Sequence, residues 1–300
     1  MNTIIAIDEL TKRYGAFSAV SGLTLHVDEG SITGLLGPNG AGKTTTFKCL
    51  LGFMRPTSGS TRLFGAPLEP ATFERLTYVP ERSVLYGWMT IAQHLEMQRR
   101  AFKYYDPKRA AELVATFGLD PAKRTSRLSK GQQTAVALIL AFSIRPSALI
   151  LDEPASGLDP IFQHVVIDLM IDAAANGATI LFSSHQITQV ERAADRVAIL
   201  KNGRLVLDAI VDELKSDEKV VEAIFDHAIP GLDGLADDVR VRRVERSGRI
   251  VRAYVHAEAG EIMKRLSAYE PRSISIVDLN LEDIFLNAVE ADRFSPTEIV

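Results

Sequence analysis

The sequence contains one cysteine in 300 residues, Cys49, so no disulfide can form within the chain. Cys49 lies between Phe47 and Leu50-Leu51 and reads as a small buried hydrophobe, which makes a reducing cytoplasm the expected compartment. No sign of charge dominates. Thirty-four Lys and Arg stand against 38 Asp and Glu, a net charge of −4, which lacks the basic field of a nucleic-acid binder, so no nucleic-acid partner is expected. Long apolar runs are missing too. The longest, Ala135 to Ile144, includes Ser143 and stops at Arg145, short of the ~20 residues a spanning helix needs. Met1 to Leu10 shows no basic segment followed by an apolar stretch, so neither a secretory leader nor a membrane crossing is expected. Repeats and low-complexity tracts are absent. With 46% hydrophobic residues the chain can bury a sizeable core, as one large domain or two smaller ones.

Against these absences stands one octapeptide, Gly37-Pro38-Asn39-Gly40-Ala41-Gly42-Lys43-Thr44, which satisfies G-x-x-x-x-G-K-[ST] in full. It follows the apolar run Ile32 to Leu36 and precedes a helical pattern that begins at Lys43, the strand-loop-helix setting that a phosphate-binding loop requires. Its glycines let the backbone approach an anion with N–H groups pointing inward. The Lys43 ammonium can reach β- and γ-phosphates, and the Thr44 hydroxyl can ligate Mg²⁺. A second motif, Ala148-Leu149-Ile150-Leu151-Asp152-Glu153, is an apolar strand ending in two carboxylates. Strand alternation sends them to opposite sides, one to hold Mg²⁺ and the other to deprotonate an attacking water.

Short β-branched runs predict strands at Ile4 to Leu10, Leu23 to Val27, Ile32 to Leu36, Thr61 to Phe64 and Thr77 to Val79. Helical periodicity follows from Thr90 to Arg145, broken at Asp106-Pro107, at Asp120-Pro121 and before Leu128. Strands return at Ala148 to Leu151, Thr179 to Ser183 and Arg196 to Leu200 with helices between them, the alternation of a covered parallel sheet. The charged stretch Lys215 to Lys219 is the expected linker to a C-terminal unit. In that unit Val220 to Phe225 reads as a strand and Val239 to Arg246 and Arg249 to His256 as a hairpin about Ser247-Gly248. A helix (Glu258 to Tyr269), a strand (Ser273 to Val277) and an amphipathic helix (Leu281 to Val289) follow. Arg240, Arg242, Arg246, Arg249 and Arg252 could face a polyanion. Alternating with valines and offset by Asp237, Asp238 and Glu245, they read more simply as the wet face of a half-buried sheet.

From Thr3 to Leu214 the chain resembles an ATP-binding-cassette (ABC) ATPase, the separate nucleotide-binding subunit of an ABC transporter. Leu128-Ser129-Lys130-Gly131-Gln132 is similar to the family's L-S-G-G-Q signature and opens a helix, whose positive end suits a phosphate. The resemblance implies an α/β fold: a P-loop NTPase (RecA-like) core with an N-terminal antiparallel β subdomain and an inserted α-helical subdomain at about 88–146. The ATPase domain would span 1–215, and a small α+β domain 216–300. It implies ATP and Mg²⁺ as cofactors. The nucleotide would be held by Tyr14, which the family stacks on adenine, by Gly37 to Thr44 with Thr45, and, from a second chain, by Ser129, Gly131, Gln132 and Asp159 of Ser156-Gly157-Leu158-Asp159. It implies Glu153 as the base, His185 as the residue holding water and base, Lys43 on the phosphates, and Thr44, Glu81 and Asp152 at the metal.

Two positions depart from the family pattern: Glu81 stands where glutamine is usual, and Lys130 replaces the first signature glycine. Both, with Tyr105-Asp106-Pro107 and Leu281-Glu282-Asp283-Ile284-Phe285-Leu286, resemble the bacterial branch that serves exporters with separate membrane subunits, antibiotic efflux included. The partners implied are integral membrane permease subunits and a second cassette chain, identical or different, at the cytoplasmic face of the inner membrane. Leu85-Tyr86-Gly87-Trp88-Met89, beside Glu81, is the candidate surface that passes opening and closing to the membrane partner. Trp88 and Met89 could equally lie in the core. The other functions open to such a chain are a soluble ABC ATPase outside transport and an ATP-switched regulatory module.

Overall fold

The computed structural model describes residues 2–82, 84–226, 231–232, 234–235, 238–256 and 258–284. They form two compact units, Met1–Asp208 and Ala209–Val300.

The first unit is α/β. Strands β1 (Thr3–Tyr14), β2 (Phe17–Asp28) and β4 (Ser58–Leu63) make an antiparallel sheet in the order β2-β1-β4. The apolar runs predicted only half of β1 and β2. The hairpin continues through polar residues until Tyr14 pairs with Phe17, because ladder bonds do not require an apolar side chain. The second sheet has the order β5-β6-β7-β3-β8-β9, built from β3 (Ile32–Leu36), β5 (Leu76–Val79), β6 (Ala148–Asp152), β7 (Thr179–Ser184), β8 (Arg196–Lys201) and β9 (Arg204–Ile210). Strands β5, β6, β7, β3 and β8 run parallel in that order, and β3, β6 and β7 are buried along their whole length. That burial explains why they read as continuous apolar runs instead of alternating ones. Side chains from both sheets and from α1 (Lys43–Leu50), among them Ile5, Val20, Leu35, Phe47, Ile150 and Leu200, form one core.

The helical stretch resolves into α2 (Ile91–Ala101), α3 (Pro107–Thr116) and α4 (Lys130–Phe142). Their starts follow local chemistry. Thr90 and Ser129 each cap with a reciprocal glutamine, Gln93 and Gln132, while Asp106 accepts from two backbone N–H groups ahead of Pro107. Two further helices, α5 (Pro160–Ala175) and α6 (Ile187–Ala193), accompany the parallel strands. Strand β9 was not predicted. It follows β8 through Asn202-Gly203, both at positive φ (49° and 78°), the conformation of a type I′ turn.

In the second unit, β10 (Glu218–Ile224), β11 (Val241–Ser247), β12 (Ile250–His256) and β13 (Ser273–Asp278) form an antiparallel sheet ordered β11-β12-β10-β13. Residues of α8 (Ala259–Ser267) pack on it, with Val221, Phe225, Val251, Ile262 and Leu266 in the core. The Lys215 to Lys219 stretch is not a linker. Helix α7 (Val211–Asp217) runs directly into β10, with Val211 and Leu214 buried and the Lys219 ammonium 2.6 Å from Asp278. Its charges are partners inside the fold, so charge density alone misread it. The boundary expected at residue 215 falls within α7. Three of the five arginines are likewise paired: Arg240 with Asp238, Arg242 with Glu218, and Arg252 with Glu222, at 2.7 to 2.9 Å. Asp237 and the Phe285 to Val289 part of the last predicted helix lie outside the described residues.

Candidate nucleotide site

Strand β3 delivers the chain at Leu36 into the glycine loop, and α1 opens at Lys43 with Gly42 as its N-cap, at φ 109° and ψ 0°. Packing demands glycine at both ends of the loop. A Cβ on Gly37 would lie 2.5 Å from the Leu200 carbonyl, and one on Gly42 2.5 Å from the Ala19 carbonyl. No side chain caps α1, and its first turn holds no acid. The first-turn N–H groups, which have no partner within a helix, remain for an anion.

Lys43 is buried and donates from Nζ to the Gly37 carbonyl at 2.6 Å, with the Glu153 carboxylate 3.4 Å away. Thr44 Oγ1 donates to Asp152 Oδ2 at 2.8 Å, and Ser183 Oγ donates to Asp152 Oδ1 at 2.6 Å. Asp152 is 1% exposed. Burial holds its carboxyl above the usual aspartate range, while the Ser183 and Thr44 hydrogen bonds pull it back. The two acids do not oppose each other across a strand as alternation predicted. β6 ends at Asp152, Glu153 turns into the left-handed region at φ 51°, and its carboxylate meets Lys43 and His185, whose Nδ1 is 2.7 Å from Oε2.

Lys43, Thr44, Glu153 and His185 open onto a cleft of about 640 Å³ lined also by Tyr14, Phe17, Pro38 to Gly42, Thr45, Glu81 and Ser156. That is a volume suited to a nucleotide. Tyr14 is half exposed. Its hydroxyl donates to Met54 Sδ at 2.7 Å and Lys12 Nζ stands 5.3 Å from the ring centroid. For Mg²⁺, the Thr44 hydroxyl and the Asp152 and Glu81 carboxylates are all hard oxygen donors beside the loop. Among the described residues there is no group of three or more His, Cys, Asp or Glu that could hold a metal alone. Three oxygen donors fit a cation that completes its shell with phosphate and water oxygens, the habit of Mg²⁺.

Ser129, Gly131, Gln132 and Asp159 do not line this cleft. Ser129 and Gln132 cap each other at the start of α4, and the Asp159 carboxylate accepts from the Ile161 and Phe162 N–H groups at 3.0 Å. A Cβ on Gly131 would lie 2.6 Å from the Gly157 carbonyl. The two departures meet elsewhere: Glu81 also lines a second cleft, of about 370 Å³, with Arg82, Lys130, Gln133 and Thr134. Of the aromatic segment, Trp88 is 70% exposed and its ring lies 5.8 Å from that of exposed Tyr86 at a tilt of 43°, whereas Met89, at 8%, belongs to the core.

Sequence reasoning missed Phe17 and Ser183, and it placed Ser156 only within a segment shared between two chains, whereas Ser156 lines the cleft of its own chain. The available signal for Phe17 was an aromatic just across a tight hairpin from Tyr14. For Ser183 it was a hydroxyl in an otherwise apolar strand.

A family model described as "ABC transporter" matches residues 20–156. The uncharacterized ABC transporter ATP-binding protein YhaQ of Bacillus subtilis is 36% identical over 71% of this chain and 73% of its own length. The Nod factor export ATP-binding protein I of Paraburkholderia xenovorans is 33% identical over 94% of this chain and 95% of its own length. A solved structure of an ATP-binding subunit of an ABC transporter superposes with a TM-score of 0.65 at 31% identity, covering 71% of this chain and 92% of that one.

Proposed function

This chain belongs to the ABC transporter ATP-binding proteins, ATPases whose hydrolysis is coupled to transport, and from that premise we propose how its residues divide the work. The observation that carries the reading is the meeting of Lys43, Glu153 and His185 beside a glycine cradle at the mouth of one cleft. ATP lies with its adenine against Tyr14 and its phosphates on Gly37 to Thr45, where backbone N–H groups and the Lys43 ammonium offset the charge that builds as the γ-phosphoryl transfers. Thr44, Asp152 and Glu81 would hold Mg²⁺, and its positive charge would help offset that of the phosphates. Glu153 accepts a proton from the attacking water, and His185 keeps that carboxylate in place through the 2.7 Å contact.

Half of the site is missing from the cleft of one chain. Ser129, Gly131, Gln132 and Asp159 do not line that cleft, and a second chain packed head to tail brings its own set onto the γ-phosphate. Closure on ATP and opening after hydrolysis are passed to integral membrane permease subunits through the exposed Tyr86 and Trp88. Coupled in this way, the chain would work as a peripheral subunit at the cytoplasmic face of the inner membrane. The near full-length match to a Nod factor export protein supports export as the direction. The test is Glu153→Gln, which keeps the side chain's shape and removes the proton acceptor. ATP still binds, turnover collapses and closed dimers accumulate, whereas near-normal turnover removes Glu153 from the role.

A further inference from the structure

We propose that Ser183 is a positioning residue for hydrolysis, which fixes Glu153 against Asp152 through one buried hydroxyl; this rests on the reading of Glu153 as the base. Ser183 is fully buried at the end of β7, and the parallel register sets it directly beside Asp152. Its Oγ donates to Asp152 Oδ1 at 2.6 Å and accepts from the Glu153 N–H at 3.0 Å. A hydroxyl has one proton, so a backbone N–H on one side and a carboxylate on the other leave it a single orientation.

Glu153 needs such a hold. At φ 51° it occupies a region that a residue with a side chain keeps only when its surroundings impose it. β6 has already ended, so Ser183 supplies the partner that the sheet would have given the Glu153 N–H. Two residues further along the same segment, His185 contacts the Glu153 carboxylate at 2.7 Å. The end of β7 thus grips the base at its backbone and again at its carboxylate, and the first grip is tied to Asp152 beside it. Ser184, equally buried, does something different: it binds Gln189 and the Gln186 backbone at the start of α6.

The experiment compares full-length Ser183→Ala with Thr179→Val. Thr179 is buried at the other end of β7 and also accepts from a backbone N–H, that of Gly30, at 3.0 Å. A serine with a merely structural role would behave as this control does. A base displaced by a fraction of an ångström to 1 Å loses on the order of 10- to 100-fold in kcat. Ser183→Ala is therefore expected to lower kcat by that factor with KM for ATP changed less than about threefold, while Thr179→Val keeps kcat within about twofold. In a Glu153→Gln background Ser183→Ala adds no further loss, because both act through one carboxylate. Ser183→Thr retains the hydroxyl and keeps kcat within about threefold of the parent, which guards against a Ser183→Ala that does not fold. Ser183→Ala with parental kcat, or folded Ser183→Thr with turnover lost, overturns the proposal. If Glu153→Gln itself turns over normally, the base reading fails instead, whatever Ser183 does.

Discussion

Gly42→Ala puts the geometry of the phosphate loop to a quantitative test. At φ 109° an alanine lies outside the conformations an L-residue favours, and left-handed backbone costs it about 1–2 kcal/mol. Its Cβ would sit 2.5 Å from the Ala19 carbonyl in β2, next to the fully buried Val20, so relief requires backbone movement in a packed region, worth about 1–3 kcal/mol more. The sum, about 2–5 kcal/mol, is a large share of the ~5–15 kcal/mol that holds a domain folded. It corresponds to a drop in melting temperature of roughly 5–20 °C. The N–H groups that face phosphate move by about 1 Å, enough for ~100-fold in turnover. Gly40→Ala is the matched control: φ is 82°, so strain remains, but nothing lies within 4 Å of the added carbon. It is expected to cost only about 1–2 kcal/mol of stability. Thermal unfolding of each variant without nucleotide, followed by titration with a fluorescent ATP analogue, separates the two. A Gly42→Ala protein that melts like Gly40→Ala refutes the reasoning.

Three further outcomes follow from the same geometry. Asp152→Asn keeps both hydrogen bonds, the amide donating to a reoriented Thr44 hydroxyl. Because burial raises the native carboxyl, the protein gains stability on acidification through that pKa and loses it as pH rises, so a neutral amide is expected to raise the apo melting temperature at pH 7 while ending turnover. A lower apo melting temperature contradicts this. Trp88→Ala is expected to change stability by less than about 0.5 kcal/mol and Met89→Ala to cost about 2–5 kcal/mol in denaturation, with only Trp88→Ala uncoupling transport from an otherwise stable subunit. Asp106→Ala, which removes the acceptor for two N–H groups at the start of α3, is expected to lower stability by about 1 kcal/mol in denaturant unfolding without altering ATP affinity; a change in affinity would tie that helix to the site.

What the sequence revealed was local. The octapeptide from Gly37 to Thr44 and the carboxylates after Leu151 are contiguous, and the caps Ser129 and Asp106 act on residues two or three positions away, so spacing carries their geometry. Ser183 escaped notice because its role depends on the parallel register with Asp152, 31 positions distant, which no local periodicity encodes. The turn of Glu153 at φ 51° was hidden for a related reason. Alternation holds only while the ladder lasts, and β6 stops one residue earlier. Lys215 to Lys219 was misread because charge density does not say whether the charges face water or one another. Asn202-Gly203 was readable as a hairpin turn from its dipeptide alone, and with it β9.

The central claim is that one chain carries two halves of different ATP sites. Lys43→Ala disables the phosphate-loop half, and Ser129→Arg obstructs the signature half. In a mixed dimer of the two variants one site carries both lesions and the other carries neither. ATP hydrolysis by the mixture is therefore the decisive measurement. Turnover that reappears on mixing two separately inactive proteins is the predicted result, and a mixture as inactive as its components contradicts the account.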